Sequence, residues 1–180
     1  SIFDHIIIAS DNPEVNEIIS TFSDTRLSFF KRKQEDTPPS KSIVPLLENI
    51  VSPIDSKHSG VAVLSYLQAP MVTTETLEEA ISTLILNDAC SSYGLEEVKE
   101  TLYKRNSGGL FPINPSKKLT SDFDIVFRET NTSLATRNNN FLNGSLTGSK
   151  IVHFIVSKEE CFFIDSEHLL KVANILFSEE

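Results

Sequence analysis

At 180 residues, with 16 Lys and Arg against 25 Asp and Glu and a formal net charge of −9, the chain lacks the cationic surplus that neutralises phosphates in nucleic-acid binding. Its 6 glycines leave room for few phosphate-cradling loops or nucleophile elbows, which need positive φ or close backbone approach. A hydrophobic fraction of 39% spread along the whole length argues against wholesale disorder, and no apolar run approaches the ~20 residues that cross a bilayer.

In chain order, Phe3 to Ala9 is apolar on both faces at Ile6, Ile7 and Ile8 and predicts a strand covered on both sides. Asp11-Asn12-Pro13-Glu14 then reads as a helix start, with Val15, Ile18, Ile19 and Phe22 as one buried stripe. Arg26 to Lys33 predicts a second strand, and Lys31-Arg32-Lys33 in it is the one dense basic cluster, read as charge protecting a sheet edge. Gln34 to Lys41, with Pro38-Pro39, reads as a solvated loop, followed by a short helix over Ile43 to Val51 with Pro45 in its first turn. Thr37-Pro38 and Ser52-Pro53 fit proline-directed phosphorylation. Val61 to Leu67 predicts a central strand.

Thr73-Thr74-Glu75-Thr76 with Glu79 offers several caps, among them a Thr76 to Glu79 capping box, for a helix burying Leu77, Ala80, Ile81, Leu84 and Ile85. Gly94 is read as separating it from a second helix over Leu95 to Arg105. Asn106 to Ser121, with Gly108-Gly109, Pro112 and Pro115, is irregular and long for a loop. A strand is expected over Phe123 to Arg128, a polar and partly disordered tract over Thr130 to Ser149, and a strand over Lys150 to Val156. A turn at Ser157 to Glu160, a strand over Cys161 to Ile164 and a helix from Ser166 with a wide apolar face close the chain.

This succession predicts an α/β or α+β fold in a single globular domain, residues 1–180: a mixed sheet with helices on one or both faces and antiparallel strands near the C-terminus. Mobile loops are expected at 33–41, 106–121 and 130–149. Cys90 and Cys161 have neither disulfide-framework nor metal-ligand spacing, which fits a reducing, intracellular compartment, cytoplasmic or nuclear. The sequons at Asn131 and Asn143 are of a kind that an Asn- and Ser-rich chain generates by chance.

The sharpest chemical pattern is Asp122-Phe123-Asp124, two carboxylates on one side of a strand start, since residues two apart point the same way. With Gly108-Gly109 upstream and Asp165 at the end of a later strand, this resembles the glycine turn, Asp-x-Asp strand and third carboxylate of nucleotidyltransferases. The resemblance implies metal-dependent phosphoryl transfer with Asp122, Asp124 and Asp165 as catalytic carboxylates around Mg²⁺. It covers about a third of the chain, and Lys104-Arg105-Asn106-Ser107 stands where an apolar strand should lead into the glycines. On the bland reading Asp122 and Asp124 face solvent while Phe123, Ile125 and Phe127 face the core.

No other constellation carries chemistry. His153 shares a strand face with Ile151 and Ile155, His168 lies in a helix's first turn, and His5 and His58 have no companion at ligand spacing. Cys161 between Glu160 and Phe162 sits where a thiol pKa rises. Gly144 to Lys150 has its lysine one place too late for a phosphate loop. The leading expectation is therefore a non-catalytic protein-interaction domain, an adaptor or subunit of an intracellular assembly, with no catalytic residue, no cofactor and no metal. Its expected partners are other proteins, some with basic surfaces, without direct nucleic-acid binding or membrane insertion. The alternatives are the nucleotidyltransferase-like enzyme and an acidic inhibitor or immunity-type protein.

Overall fold

The computed structural model describes residues 2–33, 42–113 and 125–178. The chain falls into two compact units, one formed by Ser1–Val61 with Arg137–Gly148 and the other by Ala62–Thr136 with Ser149–Glu180.

In the first unit, β1 (Ile6–Ser10) pairs in parallel with β2 (Leu27–Lys31), Ile8 standing opposite Phe29. The crossover between them carries α1 (Glu14–Ile19). Asn12 Oδ1 accepts the Glu14 amide at 3.0 Å at its start. At its end the Ser20 and Thr21 hydroxyls donate back to the carbonyls of Glu17 and Ile18. Such local side-chain bonds compete with helix propagation and stop α1 before Phe22. The expected stripe is accordingly not buried: Ile19 is inside, while Ile18 and Phe22 are 60% and 63% exposed. Helix α2 (Val44–Val51) tolerates Pro45 because the first turn has no carbonyl partner for its amide, and it buries Val44, Leu46 and Val51.

The second unit is a mixed α/β layer. Strand β3 (Val61–Leu64), α3 (Thr74–Leu86), β4 (Ser91–Glu97), β7 (Phe127–Arg137) and β8 (Ile151–Ile155) give a four-stranded sheet in the order β3-β7-β4-β8, with β5 (Tyr103–Asn106) and β6 (Gly109–Pro112) as a separate antiparallel hairpin. Strand β4 is antiparallel to β7 and parallel to β8. The α/β fold with a mixed sheet and antiparallel strands in the later half is as the sequence indicates. Strand β3, read as central, stands at one end of this sheet. The short α4 (Asn139–Leu142) and α5 (Glu167–Leu176) complete the described elements.

Helix α3 covers β4 and β8 through Ala80 and Leu84, both fully buried. Its cap is Thr73, whose Oγ1 accepts the Thr76 amide at 3.3 Å, one turn earlier than a Thr76 to Glu79 box would place it.

Four expectations are corrected. The second helix over Leu95 to Arg105 is instead the end of β4 and most of β5, because three apolar residues at 95, 98 and 102 fix no period while Gly94 disfavours helix and favours a close strand crossing. A Cβ on Gly94 would stand 2.6 Å from both Ser133 Oγ and Val156 Cγ2. The Gly108-Gly109 stretch is the turn and start of a hairpin rather than irregular chain, Gly109 adopting φ +120. The polar tract from Thr130 begins in β7 and α4: Thr130 Oγ1 lies 2.7 Å from the Gly94 carbonyl and 2.6 Å from Thr132 Oγ1, while the Ser133 hydroxyl is buried without a partner. The β4–β7 register shifts beside Gly94, where Asn131 takes φ 55, so β7 carries a bulge there. Finally, Cys161 closes the turn from Ser157 and Phe162 to Ile164 form no strand, and α5 buries only Ala173 of its apolar face.

Candidate functional site

In open α/β sheets ligands bind in the crevice beyond the carboxyl ends of parallel strands. The parallel β4 and β8 end together, Leu95 opposite Ile155, with the Val156 amide donating to the Leu95 carbonyl at 2.9 Å. Two loops meet in this unit: the one from β3 to α3 and the one from β8 to α5. The Ile164 amide donates to the Gln68 carbonyl at 2.8 Å, and the rings of Tyr66 and Phe163 meet edge to face with centroids 6.2 Å apart. Tyr66, Leu67 and Gln68 are exposed.

Between these loops lies a carboxylate that the sequence reading passed over. Glu160 Oε1 accepts hydrogen bonds from the Thr73 amide at 3.0 Å, Thr73 Oγ1 at 2.8 Å and Thr76 Oγ1 at 2.5 Å, while its Oε2 accepts from Ser157 Oγ at 3.1 Å. Partial burial pushes the carboxyl pKa up and is the largest single influence, but the hydroxyls and amide outweigh it together and hold the group below its ordinary value. A residue 84 positions away in sequence thus completes the N-terminus of α3. No local pattern announces it; the nearest signal is three threonines within four residues, Thr73, Thr74 and Thr76, with a helix behind them.

Asp165, the third carboxylate of the sequence pattern, follows Ile164 directly and is exposed. Ser166 behind it caps α5, its Oγ accepting the Leu169 amide at 3.4 Å. Asp165 is therefore held by a backbone bond on one side and a helix cap on the other. Asp122 and Asp124 lie outside the described residues. Among the described residues no three His, Cys, Asp or Glu side chains gather where a metal ion would sit. Asp165 with the described residues does not build a metal site, and no step is derived through one.

The other candidates resolve simply. His153 stacks on Phe127, ring centroids 4.5 Å apart, and His168 is exposed on α5. His58 is buried at φ 50 with Nε2 3.4 Å from Ser52 Oγ. Cys90 and Cys161 are free thiols, and burial, with Glu96 next in weight, raises the Cys161 pKa. No described helix is long and apolar enough to cross a membrane.

The first unit holds a second multiply bonded carboxylate. Asp55 Oδ2 accepts from the Gly60 amide and Asn138 Nδ2, each at 2.8 Å, and Oδ1 accepts from the Ser59 amide at 3.2 Å. The Asn138 bond, followed by the Gly60 amide, lowers its pKa to about 2. Asn138 is buried with its Oδ1 unpartnered, so it acts here as a donor that ties the α2–β3 loop to the start of α4.

No protein-family model and no curated protein matches the sequence. Solved structures do. A 4-diphosphocytidyl-2C-methyl-D-erythritol synthase from Anaerococcus prevotii superposes with TM-score 0.66 at 12% identity over 97% of this chain and 79% of its own. A second 4-diphosphocytidyl-2C-methyl-D-erythritol synthase gives 0.64 at 11% identity over 95% of this chain and 80% of its own. The 2-C-methyl-D-erythritol 4-phosphate cytidylyltransferase of Francisella tularensis gives 0.59 at 13% over 97% and 81%. The fold of this chain is the one those structures have. This overturns the expectation of a non-catalytic adaptor or complex subunit. Composition misled because net charge and glycine count describe the whole surface, whereas a site on this fold is made by a few loops.

Proposed function

We propose that this chain serves nucleotidyl transfer, with a cytidine nucleotide as the donor to test first. In that reaction an oxygen of the acceptor attacks the α-phosphorus of the nucleoside triphosphate, the new O–P bond forms as the bond to the β-phosphate bridge breaks, and pyrophosphate leaves. The observation that carries the reading is the fold likeness to three structures named for cytidylyl chemistry, running over 95% or more of the chain. The exposed Asp165, on a loop tied to the β3–α3 loop, supports it, because binding residues on such folds come from loops beyond the strand ends. The paired Asp122 and Asp124 enter from the sequence pattern as the carboxylates to test beside it.

Isothermal titration with CTP, UTP, ATP and GTP, each with and without Mg²⁺, tests this directly. CTP is expected to bind with a dissociation constant of about 1 mM or tighter, in the range of enzyme substrates, and more tightly than the purine nucleotides. Asp165→Asn, Asp122→Asn and Asp124→Asn are expected to weaken CTP binding. A protein that stays folded and takes up none of the four nucleotides at millimolar concentration would sink the proposal.

A further inference from the structure

The β8–α5 loop carries two carboxylates five positions apart: the exposed Asp165 of the proposed nucleotide site and the hydrogen-bonded Glu160. We propose that Glu160 is the positioning residue for Asp165: its carboxylate latches the β8–α5 loop onto the N-terminus of α3 and thereby sets where Asp165 stands. This inference rests on the nucleotidyl-transfer reading and adds a residue to it.

The geometry supports a latch rather than an incidental surface contact. Three donors, from Thr73 and Thr76, converge on a single oxygen, Oε1, at 2.5 to 3.0 Å, and Ser157 at the start of the turn occupies the other. Ser157 Oγ also accepts the Glu160 amide at 3.3 Å, so the turn is closed on itself before it is tied to the helix. Thr76 is 7% exposed, which keeps its hydroxyl from exchanging this partner for water. Thr73 Oγ1 works in both directions, accepting the Thr76 amide and donating to Glu160, so the helix cap and the latch share one hydroxyl. Beyond Glu160 the chain makes the Ile164 to Gln68 bond and reaches Asp165 at the next residue. Loss of the carboxylate frees Ser157, Thr73 and Thr76 together, and the segment to Asp165 then depends on the Ile164 bond and the Tyr66–Phe163 ring contact.

The charges around the latch do not provide a substitute. Glu159 beside it is exposed and acidic, and Lys158 on the same turn is exposed. The hydroxyls and the amide of Thr73 act as donors whatever the pH in the working range, so the latch is set by the ionisation of Glu160 itself. That carboxylate is held in its charged form, and the stability it lends is present above the ordinary glutamate range and lost as pH falls below it.

The test compares Glu160→Ala and Glu160→Gln in the full chain by two readouts: amide exchange over residues 161–166 and the dissociation constant for CTP with Mg²⁺. Gln keeps an acceptor oxygen for the three donors of Thr73 and Thr76 but not the charge and is expected to fall between wild type and Ala in both, whereas Ala is expected to expose the Ile164 amide to exchange and to weaken CTP by about tenfold, the scale of a misplaced binding group. A structural role alone would lower the melting temperature of Glu160→Ala without moving CTP affinity at temperatures where the variant is folded, and that result overturns the inference. Unchanged exchange at Ile164 in Glu160→Ala overturns it as well. If wild type binds no nucleotide, the nucleotidyl-transfer reading fails on its own account, and the exchange data still decide whether Glu160 holds the loop. Thr76→Val, which removes the shortest of the donors from the other side, is expected to reproduce the exchange change and guards against misfolding of the alanine variant.

Discussion

The four-stranded sheet and the β5–β6 hairpin invert the usual relation between polarity and burial. The sheet hides Ser91, Ser92, Thr132 and Thr136 completely, while the hairpin holds out Tyr103, Leu110 and Phe111 with all eight of its strand residues exposed. Small hydroxyl side chains let α3 lie close on the sheet, and part of their polarity is met by backbone carbonyls, Ser92 donating to Ala80 and Thr130 to Gly94, while Ser91 Oγ has no hydrogen-bond partner. The hairpin has cross-strand pairing, Lys104 opposite Phe111 and Arg105 opposite Leu110, but its strand residues are left exposed by the described residues. A two-stranded hairpin by itself is marginal in water, so the chain's stability resides in the polar-lined sheet and not in the aromatic hairpin.

That contrast can be broken by substitution. The largest effect is expected at Gly94, where a side chain has no space between Ser133 and Val156: Gly94→Val is expected to cost about 3 kcal/mol or more in urea unfolding, and Gly94→Ala less. A loss below ~1 kcal/mol would mean that the strands part easily at the bulge. Acid gives the next test, in the other unit. The folded pKa of Asp55 is lowered from 3.8 to about 2, so the stability it contributes is complete above pH 4 and drains away as pH falls towards 2; Asp55→Asn is expected to flatten this part of the pH profile.

Ser133→Ala should move the other way. Its Oγ is buried without a hydrogen-bond partner, and removing it is expected to leave stability unchanged or raise it by up to ~1 kcal/mol, although the site is a core strand. The smallest effect is expected for Leu110→Ser with Phe111→Ser, within about 0.5 kcal/mol, since neither side chain is packed. A larger loss there would show that the hairpin has cover in solution.

The parts of the fold legible in the sequence are those where pattern and packing agree. Helix α3 follows from its threonine cap and the Ala80 and Leu84 spacing, β8 from the alternation through Phe154, and α5 from Ser166. The polar run from Thr130 to Thr136 was illegible because Thr and Ser satisfy both a loop and a buried strand, and only the opposing carbonyls decide between them. Asp165 reads from the sequence as a carboxylate at a strand end, but the chain before it forms no strand and only the Ser166 cap behind it is as the pattern indicates. Glu160 was not, because its partners stand 84 and 87 residues away and no local spacing encodes them.

Cys161, one residue beyond the latch, is half-buried, and its thiol pKa is raised by burial first and then by the Glu96 carboxylate. Only a small fraction is thiolate at neutral pH, so the residue reacts slowly with alkylating reagents while the loop is closed. In a Cys90→Ser background the rate of labelling at Cys161 is expected to rise in Glu160→Ala, so the thiol reports on the latch from within the chain.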